Sequence, residues 1–292
     1  MAQDDNELAQ LIAKESHRPT GRWQLTPEGA RRLRAARNAM QGAIGLGLQF
    51  SPLDVPGCVG WYRSDRADLT LPSDAGHPAN TLARWPDSSP ANNHIRAQST
   101  TAPLVTSNVW DGKSAVVCVR GTTNGPTIDV GFLPPIATCS VFFVVDAVTW
   151  PSVNGEQVRL MGTSDLPGSA NDRLLCQTQF VTGTGVVMRI AAVVGGVSTV
   201  LQGTAVVPTG RNILAYVING ASSRMRRNAN ADESGTTGNP LALFSWSLLS
   251  DANTTTTMLD GRCGEVVIYN RAISLAEQLL VQNYLNTKWK VF

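Results

Sequence analysis

The chain has 292 residues, which is long enough for one large β-domain with an extension or for two domains. Its 24 Lys and Arg residues against 22 Asp and Glu give a formal net charge of +2, which excludes polyanion binding through overall charge. The acidic N-terminus lacks the basic and apolar regions of a secretory signal, and no stretch is long and apolar enough to span a bilayer. We therefore predict a protein that is made and folded in a cytoplasm and is not secreted.

Residues 1–50 differ in composition from the rest and predict two short helices. The first covers residues 5–15 and ends where Pro and Gly interrupt the pattern at residues 17–21. The second begins at Thr26, a good N-cap, has Pro27 at its first helical position and runs to about residue 44. Its apolar stripe is too thin to form a domain core alone, so we predict an N-terminal helical arm.

The second helix of this arm is basic, which leaves two interpretations open. It is either an arm that binds nucleic acid or another anion, or an assembly helix whose solvated face is basic and which docks on another protein. Apart from Trp23, no aromatic residue alternates with the arginines, which favours docking on a protein. The predicted partner-binding residues are Arg31, Arg32, Leu33, Arg34, Arg37, Met40 and Ile44.

From about residue 50 onward, short apolar runs alternate with Gly, Asn, Pro and Thr turns. This pattern predicts a mainly β fold, an antiparallel β-sandwich or jelly roll over residues 55–292. The candidate strands are residues 58–63, 94–98, 114–120, 138–148, 157–162, 173–180, 186–194, 199–206, 212–218, 223–227, 242–246 and 264–269.

Five cysteines are spread singly along the chain, with no pair or His spacing that is typical of a zinc site. Two interpretations stay open: reduced thiols that pack as small apolar side chains, or a disulfide formed after release from a cell. The apolar runs around Cys118 and Cys139 favour the first.

The C-terminal segment predicts a core strand followed by a helix. Residues 264–269 are rich in β-branched and aromatic side chains, and Ser274 with Glu277 gives the pattern of a capping box. The apolar stripe of the helix is predicted to contain Leu275, Leu279, Tyr284 or Leu285, and Trp289. We predict that the helix packs on the sandwich through Leu279, Leu285 and Trp289.

Two segments resemble one family. The C-terminal segment contributes Gly264, Glu265, Tyr269, Asn270, Arg271, Glu277, Tyr284, Leu285, Lys288 and Trp289. The second contributes residues 60–65, the turn at residues 85–89 and Asn92-Asn93, although Pro90 stands where a Gly is usual. These patterns resemble the laminin-G-like branch of the concanavalin A-like lectin/glucanase jelly rolls. The resemblance implies a jelly roll over residues 55–292, with Trp61 and Trp85 packed in its core.

Candidate catalytic residues are sparse. Glycosidases on this fold need two carboxylates close together as nucleophile and acid, and the nearest approach is Asp65 with Asp68, a pair typical of a surface turn. The three histidines are isolated from one another. We therefore predict that the protein is not an enzyme, with a glycan hydrolase as the least favoured alternative.

Ligand binding through loop residues stays open. Trp110 and Trp150 are candidates for a glycan platform, or for hydrophobic lids over a sheet edge. The polar loop at residues 251–257 is either a ligand rim or a solvated loop. No cofactor is expected, although a calcium site through Asp87 or Asp111 is an alternative.

The resemblance also implies a function, because laminin-G-like jelly rolls with helical arms are common among tailed-phage virion proteins. We predict a non-enzymatic structural protein of a phage virion, a capsid decoration or fibre-like component. Its arm is expected to bind other virion proteins and the chain to form a homo-oligomer, without membrane insertion and without nucleic acid as the favoured partner. The alternative is a carbohydrate-binding or host-adhesion module that binds surface glycans.

Overall fold

Strands of two antiparallel sheets and one C-terminal helix make up the part of the chain that the structure describes. The structure, a computed structural model, describes residues 50–69, 80–96, 102–121, 127–128, 138–164, 173–194, 196–238, 245–249 and 257–292. The predicted arm, with its partner-binding residues from Arg31 to Ile44, lies outside the described residues. The chain from Ser51 to Phe292 forms one compact unit.

The strands follow one another closely along the chain. They are β1 Cys58–Arg63, β2 Asp68–Leu69, β3 Leu82–Trp85, β4 Ile95–Arg96, β5 Leu104–Trp110, β6 Lys113–Cys118, β7 Thr127–Ile128, β8 Cys139–Thr149, β9 Gln157–Ser164, β10 Arg173–Val181, β11 Gly185–Val194, β12 Val197–Val206, β13 Gly210–Ile218, β14 Ser223–Arg227, β15 Glu233–Gly235, β16 Ser245–Leu248 and β17 Asp260–Tyr269. The helix, α1, covers Leu275–Trp289. No helix in the described ranges is long and apolar enough to cross a membrane.

The two sheets have clear and separate strand orders. The first sheet runs β15-β14-β13-β8-β17-β6-β5, with β1 also paired to β17, and the second runs β12-β11-β10-β9-β16-β7-β4-β3-β2. All the strand pairs described are antiparallel, which confirms the mainly β, antiparallel sandwich predicted from the sequence.

The main core lies between the sheets because successive side chains of a strand point to opposite faces. In β8, Val141, Phe143 and Val145 point into this core, where they pack with side chains of the second sheet such as Met188 and Ile190. These side chains are almost fully buried, so each sheet contributes one apolar face to a shared interior.

A second apolar layer lies on the other face of the first sheet, under α1. Phe142 of β8 contacts Tyr269 edge-on at a ring distance of 6.2 Å, and α1 packs against β8 and β13. Val281, Leu285 and Trp289 are the fully buried apolar side chains of the helix. The architecture is therefore helix, sheet and sheet, with the first sheet buried on both faces at its centre.

The predicted apolar stripe of α1 is wrong at its N-terminal end. Leu275 and Leu279 are 47% and 39% exposed, so Leu279 is not a packing residue. Gln278 and Gln282 are buried in their place because each has a partner: Gln278 Oε1 accepts from Arg224 Nε at 2.8 Å, and Gln282 Nε2 donates to a backbone carbonyl at 3.1 Å. Hydrogen bonds thus orient this helix together with apolar side chains.

The capping box of α1 is confirmed. Ser274 Oγ accepts from the backbone N–H of Glu277 at 3.3 Å, and Glu277 Oε2 accepts from that of Ser274 at 2.7 Å. Strand β5 was not predicted, because this edge strand containing Thr-Ser-Asn has one fully buried side chain and no apolar run.

Candidate functional site

A cleft opens at one end of the sandwich, where three distant parts of the chain meet. Its volume is about 640 Å³, and it is lined by Arg120, Gly121, Gly155, Glu156, Gln157 and Thr257. Arg120 follows β6, Gln157 begins β9 and Thr257 precedes β17. The side chains of Arg120, Glu156, Gln157 and Thr257 give this cleft hydrogen-bond donors and acceptors together.

Tight turns position the cleft residues. Gly155 has a φ of +84°, a conformation that glycine adopts without strain, and it lets the chain turn directly before β9. The Gly155 N–H donates to the carbonyl of Phe180 at 3.0 Å, and Gln179 Nε2 donates to the Gly155 carbonyl at 3.3 Å. The cleft rim is therefore attached to β10.

Arg120 is the cation of the cleft. Its Nε donates to the carbonyl of Met258 at 3.4 Å, whereas its buried Nη2 has no partner among the described residues. Burial lowers the pKa of Arg120, and the negative charges of Asp260 and Glu156 oppose that effect. The guanidinium stays protonated at neutral pH and, within the described ranges, carries a donor without a partner.

Beside the cleft, the outer face of the second sheet carries a group of arginines and glutamines. We call this group the arginine–glutamine face; it consists of Gln157, Arg159, Arg173, Gln177, Gln179 and Arg189. Gln177 lies directly opposite both Arg159 and Arg189 in the strand register. Because directly opposed residues of antiparallel strands point to the same side, these three side chains form a row across β9, β10 and β11.

The cleft and this face are continuous. Arg189 Nη1 donates to Gln179 Oε1 at 2.6 Å, and the amide of Gln179 in turn bonds the Gly155 carbonyl. Gln157 lies opposite Gln179 and also lines the cleft. A polar track therefore runs from the end of the sandwich onto the second sheet.

Glu265 is a buried carboxylate outside the cleft that accepts four hydrogen bonds. Its fully buried side chain accepts from Trp61 Nε1 at 2.5 Å, Lys288 Nζ at 2.5 Å, Trp289 Nε1 at 2.8 Å and Tyr284 Oη at 3.1 Å. Burial and the nearby Glu265 charge raise the pKa of Tyr284, so its hydroxyl stays a donor. These bonds join β1, β17 and α1 and indicate a structural role for Glu265.

The two aspartates considered as calcium ligands have other partners. Asp87 accepts from the backbone N–H groups of Trp61, Ser89 and Asn93 at 2.7 to 2.9 Å, and from Ser89 Oγ at 2.6 Å. Pro90 does not disturb this turn because the N–H donors come from other positions. Among the described residues, no group of three or more His, Cys, Asp and Glu side chains could hold a metal ion.

Asp111 is bound to Arg211 at 2.8 and 3.1 Å, and this hydrogen-bonded pairing lowers the pKa of the carboxyl group. A calcium site at either aspartate stays a prediction from the sequence alone.

The candidate platform tryptophans do not line the cleft. Trp110 is fully buried, its Nε1 donates to the carbonyl of Trp289 at 3.0 Å, and the two rings lie 5.2 Å apart. It therefore offers no open ring face, which corrects its assignment as a platform. Trp150 is half-buried and donates to the carbonyl of Pro208 at 2.9 Å. Trp61 and Trp85 are buried, as expected for core residues.

All five cysteines are free in this structure. Cys118, Cys139, Cys176 and Cys263 are buried, and burial raises the pKa of each thiol. The half-buried Cys58 has its pKa raised to about 12, mainly by burial and then by Asp87. The thiols are therefore protonated at neutral pH and act as small apolar side chains.

The comparisons with known proteins bear on the fold. No family model and no curated protein matches the chain. The match to a GH54 α-L-arabinofuranosidase structure covers 80% of this chain and 63% of the arabinofuranosidase chain, with a TM-score of 0.53 and 12% identity. The match to Domain 4 of AbnA, a GH43 extracellular arabinanase from Geobacillus stearothermophilus, covers 78% of this chain and 98% of that domain, with a TM-score of 0.49 and 15% identity. The likeness to the arabinofuranosidase shows the fold alone, a β-sandwich.

Proposed function

We propose that this chain is a non-enzymatic β-sandwich module that binds a carbohydrate chain at the cleft. The observation that carries the proposal is the cleft itself, a space of about 640 Å³ at the end of the sandwich whose lining includes charged and amide side chains. Sugar hydroxyls both donate and accept hydrogen bonds, and Arg120, Glu156 and Gln157 supply the complementary groups. The shared fold adds support, because the arabinofuranosidase with the TM-score of 0.53 is a carbohydrate-active enzyme.

The carboxylates favour binding over hydrolysis. Glu265 and Asp87 each accept four hydrogen bonds from the protein, and Asp232 and Asp146 are paired with Arg226 and Arg262 at 2.5 and 3.0 Å. In the cleft lining, Glu156 is the acidic residue. Glycoside hydrolysis uses two carboxyl groups about 5 to 9.5 Å apart, whereas a binding site needs no such pair.

The biological setting is proposed from the sequence resemblance. We infer that the module belongs to a tailed-phage virion, as a capsid decoration or fibre-like component made in the host cytoplasm. Residues 1–50 would anchor it to other virion proteins, and several copies would associate. Displayed in this way, a glycan-binding sandwich fits host adhesion, which joins the two functions considered from the sequence.

Carbohydrate binding is tested with a glycan array, followed by calorimetry on the full chain with the best-binding glycan. Gln157→Ala is expected to weaken binding about fivefold, because one net hydrogen bond contributes about 1 kcal/mol. Asn283→Ala, which removes an exposed amide on α1, is the matched control and should leave affinity unchanged. An array without binding, or equal affinity of the two variants, would contradict the proposal.

The non-enzymatic part is tested on the same glycan. We expect no release of reducing ends by the wild type during prolonged incubation. Glycan cleavage that Glu156→Gln abolishes, while binding persists, would instead establish a hydrolase with Glu156 in its site.

The virion setting is tested on particles. The protein is expected to copurify with intact phage particles at a fixed copy number, and deletion of residues 1–48 should abolish this association. The truncated chain should keep the melting temperature of the sandwich, since the arm is proposed to dock on a partner. Absence of the full chain from particles would contradict the proposed virion setting.

A further inference from the structure

The outer face of β9 to β12 has an unusual charge balance. These four strands contain three arginines, Arg159, Arg173 and Arg189, and no Asp or Glu. All three arginines point away from the intersheet core, because their neighbours along each strand, such as Leu160, Leu174 and Ile190, point into it. The face is therefore locally positive although the whole chain is almost neutral.

Several buried polar atoms on this face have no partner in the described part of the chain. They are Nε of Arg173, Nε of Arg189, and both Nε2 and Oε1 of Gln177. Gln177 is fully buried, and leaving a buried polar group without a hydrogen bond is destabilising. Because native proteins satisfy nearly all such groups, a cluster of them indicates an additional binding partner.

The missing partner must be rich in acceptors. The unpartnered atoms comprise three donors and one acceptor, and Arg159 and Arg189 have their pKa lowered mainly by burial, which leaves their positive charge poorly solvated. A carboxylate would supply acceptor oxygens and compensate this charge, and arginine binds carboxylates through two parallel hydrogen bonds.

The spacing of the groups indicates an extended ligand. Gln177 and Arg189 are directly opposed, so their Cβ atoms lie about 5 Å apart. Arg173 lies four residues before Gln177 in β10, a distance of about 13 Å along the strand. A single small anion cannot contact both ends of this face, whereas a polymer with repeated acidic groups can.

We infer that the arginine–glutamine face binds a carboxylate-bearing polysaccharide, whose chain continues into the cleft past Gln179 and Gln157. This inference rests on the proposed carbohydrate binding and specifies its ligand class. A nucleic acid fits less well, because single strands bind largely by stacking on aromatic side chains and the face consists of arginines, glutamines and small aliphatic residues such as Leu175 and Ala191.

The test compares acidic polymers with uncharged counterparts. Binding of the full chain to polygalacturonate, alginate, hyaluronan and polysialic acid is measured by calorimetry beside fully methyl-esterified polygalacturonate. We expect binding to at least one acidic polymer, and at least tenfold weaker binding to that polymer once its carboxyl groups are esterified. Arg189→Gln should weaken acidic binding about tenfold, whereas Lys290→Gln, an equal charge change at the far helix, should not.

Gln177→Leu separates binding from simple packing. The substitution removes the unpartnered amide at similar volume, so the ligand-free protein should melt about 2 to 4 °C higher. Affinity for the acidic polymer should fall at the same time, because the buried amide is proposed to turn toward the polymer and bond it. A higher melting temperature with unchanged affinity would mean that the amide is only an imperfectly packed core group and would overturn the inference.

Three further outcomes also count against the inference. Equal binding of esterified and acidic polymers would overturn the acidic-ligand inference while leaving the proposed carbohydrate binding intact. Equal binding of single-stranded DNA and polygalacturonate, both insensitive to Gln177→Leu, would show unspecific charge attraction. Failure of all acidic polymers, with neutral glycans still bound at the cleft, would again overturn only this inference.

Discussion

Glu265→Gln is expected to destabilise the protein by about 3 to 5 kcal/mol, because it removes one partner of a buried ion pair. Glu265 is fully buried and Lys288, at 2.5 Å, is only 18% exposed. The new amide would also face the indole N–H groups of Trp61 and Trp289 with one acceptor oxygen instead of two. Urea unfolding of both proteins, compared at an unchanged denaturant slope, measures the effect.

Asp65→Asn is the matched control. It also converts an acid to its amide and breaks an ion pair, with Arg63 at 2.6 Å, but the Asp65 side chain is 38% exposed. Pairs of this kind contribute about 0 to 1 kcal/mol. The double variant Glu265→Gln with Lys288→Met should recover part of the loss, since no buried charge is then left unpaired. Equal losses of unfolding free energy from Glu265→Gln and Asp65→Asn would show that the buried hydrogen bonds of Glu265 do not stabilise the protein.

Much of this region was predictable because its signals are local. The β-branched run at residues 264–269 and the Ser274 capping box depend on neighbours a few residues away, and both form. The burial of Glu265 was not predictable, since its partners come from β1 and from the last two turns of α1. The prediction for Leu279 was wrong for the same reason: the buried neighbour Gln278 bonds Arg224 and Asp232, which are far away in sequence.

The candidate site depends even more on distant contacts. Arg120, Gln157 and Thr257 become neighbours only once the strand order of two sheets is known, so no sequence window contains the cleft. Alternation along β10 shows that Arg173 and Gln177 share a face. The alignment of Gln177 with Arg189 and Arg159 additionally requires the strand register, including the bulge between Cys176 and Gln177. In the loop at residues 251–257, Thr257 lines the cleft, whereas residues 251–256 lie outside the described ranges.

Trp289→Ala is expected to cost about 3 to 5 kcal/mol and to lower the melting temperature clearly, as truncation of a buried aromatic residue does. Trp289 is fully buried, donates to Glu265 at 2.8 Å and packs edge-on against Trp110. Leu279→Ala serves as control, because that side chain is 39% exposed and its loss should change stability much less. Thermal melts of the two variants, compared with the wild type, measure the difference. Similar shifts for both would mean that α1 is not held by its C-terminal end.

A double-variant experiment identifies the contact itself. A Cβ added at Gly264 would lie 2.8 to 2.9 Å from the ring of Trp289, so Gly264→Ala should cost about 1 to 3 kcal/mol through overpacking. In the Trp289→Ala background the ring is absent, and the same substitution should then cost almost nothing. Residues in direct contact show such non-additivity, whereas independent sites add within about 0.5 kcal/mol. Additive losses would mean that Gly264 and Trp289 are not in contact, and the ring of Trp289 would then not be the reason for a glycine in the middle of β17.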